Sequence, residues 1–62
     1  MTNDHIALGA AMMLLRRHGN QAPVKVAERI GELAAEADWE GLSFWKLIAS
    51  KMDQILRPDS IQ

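Results

Sequence analysis

Ile6-Ala7-Leu8-Gly9-Ala10-Ala11-Met12-Met13-Leu14-Leu15-Arg16-Arg17-His18-Gly19 is the stretch on which the fold turns. Its apolar residues keep no period of two, so a half-buried strand is excluded, and helix formers dominate it. Thr2 or Asn3 can cap the helix, and Asp4 suits its positive end. Arg16, Arg17 and His18 suit its negative end, and Gly19 can take the positive φ that stops it. On a helical wheel the apolar side chains of this segment cover roughly 260° of the circumference, far more than one packed stripe. Ala7, Ala10, Ala11 and Leu14 form a narrow side fit for close packing on the rest of the chain. Leu8, Met12 and Leu15 are left on one flank, and Ile6 and Met13 on the other.

Outward from that segment, punctuation cuts the chain into two more helices. Asn20 or Gln21 is expected to satisfy free amides ahead of Ala22-Pro23, because proline is tolerated in a first helical turn. The second helix runs to about Ala37, with Val26, Ala27, Ile30, Leu33, Ala34 and Ala37 as its core side. Asp38 caps the third helix, with Glu40 in its first turn. Gly41, Phe44, Trp45, Ile48, Met52, Ile55 and Leu56 mark its apolar face, Leu47 falls on the wet side, and Trp39 stays partly exposed at the turn. Pro58 ends the pattern, and Asp59 to Gln62 are expected to fray. The resulting expectation is an all-α, compact three-helix domain (about 4–18, 22–37 and 39–56) filling residues 1–62.

Composition narrows what such a domain can be. Apolar residues are 48% and charged ones 24%, the balance of a folded chain and not of a disordered one. A chain this short hides only about 60% of its unfolded surface, and small domains are commonly reinforced by disulfides, metal or association. Cysteine is absent, which removes disulfides and thiolate chemistry. His5 and His18 point roughly 140° apart on one helix and cannot share a metal ion. Association remains. A net charge of -1 provides no overall field toward nucleic acid or anionic lipid. The run Ile6 to Leu15 falls short of the roughly 20 residues that span a bilayer, and the start of the chain lacks a basic secretory region, so the expected location is cytoplasmic.

Candidate chemistry is sparse. Ser43 and Ser50 share a face with Lys46 and Gln54, with no acid or base placed to activate either hydroxyl, so no catalytic residue and no cofactor is expected. Glu28, Glu32 and Glu36 form an acidic ridge that reads as a solvated face, relieved by Lys25 and Arg29. Arg16, Arg17, Lys25 and Arg29 gather around the first turn and could contact an anion or nucleic acid, although Arg16 and Arg17 also serve simply to complement a helix C-terminus. A helix-turn-helix reader using the second helix would turn three carboxylates toward the phosphates. Trp39, Phe44 and Trp45 could make a stacking platform, but core packing accounts for Phe44 and Trp45.

Arg17-His18-Gly19, Ala22-Pro23, Ala27-Glu28-Arg29-Ile30, Trp45-Lys46, Ile48-Ala49 and Asp53-Gln54 resemble a family of short uncharacterised proteins from alphaproteobacteria, over about residues 10 to 55. The resemblance implies an all-helical bacterial protein and brings no activity, cofactor or catalytic residue. From the residues themselves, the expected function is a non-enzymatic protein–protein interaction module that self-associates as a homodimeric bundle. Its interface would hold Ile6, Leu8, Met12, Met13 and Leu15, and leftover surface could bind another protein. The alternative is a small nucleic-acid-associated regulator using Arg16, Arg17, Lys25 and Arg29.

Overall fold

Helical backbone begins where the sequence can close it. In the computed structural model, which describes residues 2–57, Thr2 caps helix α1 (Asn3–His18), its Oγ1 accepting from the His5 amide at 3.3 Å. Thr2 and not Asn3 takes the cap, and the first helix starts one residue earlier than the expected 4. Asp4 lies in the first turn and Arg16, Arg17 and His18 in the last, so charge agrees with the helix dipole at both ends.

The expected break between the first two helices is not a loop. Gly19–Gln21 form a turn of 3₁₀ helix, and α2 (Ala22–Ala35) follows at once, so one joined helical run extends over residues 3–35. A straight helix of that length would measure about 50 Å at 1.5 Å per residue. The longest dimension of the molecule is 36 Å, so the run must bend. Gly19 is where the helical geometry fails: φ is 56°, as its position requires, but ψ is -127°, outside the left-handed helical well and in a region open to glycine. The hydrogen bonds across the bend are backbone ones, Gly19 N–H donating to the Leu15 carbonyl and Ala22 N–H to the Gly19 carbonyl, and Ala22 is buried in the core directly after it. Neither Asn20 nor Gln21 was needed as a side-chain cap for α2, because the 3₁₀ turn already feeds its first amides and Pro23 has none to offer.

Helix α2 ends at Ala35, two residues before the expected 37. Ala37 has φ of 59°, the only positive value on a non-glycine residue among those described. Its amide donates to the Ala34 carbonyl at 3.1 Å and the Asp38 amide to the Leu33 carbonyl at 2.9 Å, the paired bonds of a Schellman ending. The Asp38 side chain then turns the other way: its Oδ1 accepts from the Gly41 amide at 3.0 Å and caps α3 (Trp39–Leu56). Gly41 leaves room for that carboxylate, since a Cβ there would stand 2.8 Å from Asp38 Oδ2. The bounds of α3 agree with the expected 39–56, whereas the expected frayed tail, 58–62, lies outside the described residues.

Both arms of the bent run pack on α3, and they touch each other little. The core is small: Ala7 and Ala11 of α1, Ala22 and Val26 of α2, and Ile48 and Met52 of α3. Alanines on α1 admit α3 closely, and Leu14, Leu15, Phe44, Trp45 and Leu47 close over the cluster. Leu47, expected in solvent, is half-buried because α3 is gripped on two sides rather than one. Conversely Ala27 and Ala34 of α2, Ala37 in the turn after it, and Ile55 and Leu56 of α3 are exposed, although their spacing placed them on core faces. With α1 bent away, α2 packs mainly on α3, so its buried stripe contracts to Ala22, Val26 and Leu33 with Ile30 half-covered. Among the described residues there is no strand, and no helix is long and apolar enough to cross a membrane.

Candidate interaction surface

The packing of α1 on α3 consumes one side of an almost wholly apolar helix and leaves the remainder bare. Only Ala7 and Ala11 are fully buried, with Ala10, Leu14 and Leu15 partly covered against the core. Ile6 is 49% exposed, Leu8 38%, Met12 52% and Met13 59%. Four of the five proposed contact residues are therefore on the surface, and Leu15 is half inside. On the helix circumference these four straddle Gly9, which lies opposite the buried alanines. Gly9 is itself exposed, with open space where a Cβ would project.

The basic residues are divided by the bend. Arg16 and Arg17 line a shallow depression with Met13 at the end of α1. Lys25 and Arg29 stand one turn apart on α2, and Arg29 Nη1 bonds Glu32 Oε1 at 2.9 Å. Glu28, Glu32 and Glu36 are all exposed, and this pair partly neutralises their ridge at a gain typical of surface ion pairs, about 0.2–1 kcal/mol. Ser43, Lys46, Ser50 and Gln54 are likewise exposed on α3. No group of three or more metal-ligating side chains occurs among the described residues.

Residues 4–60 match the family model described as Family of unknown function (DUF6961). The chain belongs to that family. Neither the comparison with curated proteins nor that with solved structures returned a match. The DUF6961 match takes in α1, the bend, α2, the Schellman turn and α3, so the expected resemblance to an uncharacterised family holds over more of the chain than residues 10 to 55.

Two surface features of this DUF6961 chain were not read from its sequence. Between α2 and α3 runs an apolar groove of about 270 Å³, with Ile30 and Met52 in its floor and Leu56, 51% exposed, at its end. It exists because residues assigned to the core by their spacing lack a third helix to cover them. Beside the start of α1, Asn3, Trp39, Glu40 and Phe44 line an open depression, in which Trp39 is 61% exposed. Its signal in the sequence was an aromatic next to an acid immediately after a cap, Asp38-Trp39-Glu40, which can be recognised only once α3 is known to return to the first turn of α1.

Proposed function

We propose that this DUF6961 chain is a non-enzymatic, three-helix interaction module of the alphaproteobacterial cytoplasm, which self-associates through α1 as a homodimeric bundle and offers its remaining surface to another protein. The observation that carries the reading is the exposed apolar arc Ile6, Leu8, Met12 and Met13 on a helix whose fully buried residues are two alanines. Contiguous apolar patches are uncommon on monomers, and a Leu or Met moved fully out of water contributes about 1.5–3 kcal/mol. Gly9 in the middle of the arc allows two helix axes to approach closely, and the two methionines adapt to a symmetric partner. A core whose larger buried side chains are Val26, Leu33, Ile48 and Met52, the rest being alanines, gives the monomer little margin of its own. For a nucleic-acid contact the support is weaker, because Arg29 is drawn to Glu32 on a helix that also carries Glu28 and Glu36.

The test is sedimentation at micromolar concentration. Wild-type protein should sediment as a dimer. Leu8→Glu combined with Met12→Glu should weaken dimerisation by about a hundredfold or more, since two symmetry-related pairs of buried side chains become charged. The variant should stay helical by circular dichroism, because neither side chain belongs to the monomer core. A wild-type monomer at that concentration rejects the proposal.

A further inference from the structure

Resting on that reading of α1 as a self-association surface, we infer that the two α1 helices run antiparallel and that Arg17 of each copy docks in the Trp39–Glu40 depression of the other. Ile6, Met13 and Arg17 lie within about 40° of one another on the circumference of α1, and Asn3 lies about 40° further round. The Ile6–Met13 flank therefore leads, at its N-terminal end, to Asn3 and the depression that Asn3 shares with Trp39 and Glu40. At its C-terminal end it leads to the exposed guanidinium of Arg17. A two-fold axis near Gly9 and Ala10 sets Ile6 of one copy on Met13 of the other, and the same operation brings Arg17 to the other copy's Asn3 end.

Charge agrees with that arrangement and opposes the parallel one. Glu40 stands at the N-terminal end of the surface, Asp4 being turned to Lys51 of α3 at 3.9 Å, and Arg16 and Arg17 stand at its C-terminal end. Antiparallel packing pairs unlike ends and opposes the helix dipoles, whereas parallel packing stacks four arginines together. Neither Arg17 nor Glu40 takes part in an ion pair among the described residues. A guanidinium laid on the exposed face of Trp39 gains the cation–π attraction while Glu40 takes its charge. Within one copy the contact cannot form, because Arg17 and the Asn3 end are separated by the length of α1, about 21 Å.

Charge exchange tests the contact. Arg17→Glu and Glu40→Arg should each weaken dimerisation by about tenfold or more, as the contact occurs twice per dimer. The double variant should return to within about threefold of wild type. Each single change also opposes a helix dipole inside its own copy, and the double change does not repair that, so recovery reports the contact between copies. Disulfide trapping gives a reading independent of those variants, since the natural chain has no cysteine. Under diamide, a mixture of Ile6→Cys and Met13→Cys proteins should cross-link faster than either alone. Self-linking of each variant alone, or a double variant no tighter than the singles, overturns the inference while self-association stands. A monomeric wild type overturns both.

Discussion

Among the described residues the chain turns twice, and the two turns use the same backbone sign with opposite chemistry. At Gly19 a φ of 56° falls on a glycine, no side chain caps the next helix, and helical backbone carries through the bend. At Ala37 a φ of 59° falls on an alanine, and two Schellman bonds together with the Asp38 carboxylate end one helix and begin the next. The difference lies in how much the surroundings impose. The first turn depends on a residue for which its ψ of -127° is accessible, because no side chain hydrogen-bonds across it. At the second, enough hydrogen bonds converge that a residue with a Cβ is kept in a conformation that costs it about 1 kcal/mol.

Breaking the first turn should have the largest effect on monomer stability. Gly19→Val puts a β-branched side chain at a glycine-only position and should cost about 2 kcal/mol, read as a lowered thermal midpoint. The space around Gly19 is open, so this loss would report backbone strain and not a clash. An unchanged midpoint would mean that the bend does not depend on glycine geometry, and the contrast between the two turns would fall. Asp38→Ala removes the carboxylate from the second turn and leaves its Schellman bonds in place, since these use only backbone. It should cost about 1 kcal/mol, measured by urea denaturation with an unchanged slope. A loss near zero would show that the Schellman bonds alone hold that turn.

The smallest effect has the opposite sign. Ala37→Gly relieves the positive φ and should raise stability by about 0.5 kcal/mol, the relief being partly offset by the greater freedom of glycine in the unfolded chain. A decrease in the urea midpoint would show that the alanine side chain contributes contacts that its exposure does not reveal. Gly19→Val and Ala37→Gly thus exchange the chemistry of the two turns, and opposite responses sharpen the comparison.

How legible each turn was follows from where its determinants lie. Gly19 was marked by the cations before it and the Ala22-Pro23 after it, all within a few residues. Ala37 sits in the run Ala34-Ala35-Glu36-Ala37, in which every residue favours helix, so local propensity carried the second helix two residues too far. The cap at Asp38 was visible, yet its second part in closing α2 was not, because that role belongs to its backbone amide and any residue except proline could supply it. The exposed arc of α1 was legible as an excess of apolar residues over what one packed stripe can hold. The depression at Trp39 and Glu40 was not, because it joins the start of α1 to the first half of α3, far apart in the chain.

By itself the sequence determined the all-helical character, a cap at Thr2 or Asn3, the cap at Asp38, the positive φ at Gly19 and the exposure of Ile6, Leu8, Met12 and Met13. These are properties of short segments, in which spacing and residue type act within one or two turns of helix. Only the tertiary structure decided that both arms of the bent run pack on α3 and scarcely on each other. That choice moved Leu47 inward and left Ala27, Ile55 and Leu56 outside, and it set Trp39 beside the start of α1. A helical wheel shows which residues share a face, but the width of the face that is covered depends on how many neighbours arrive and from where.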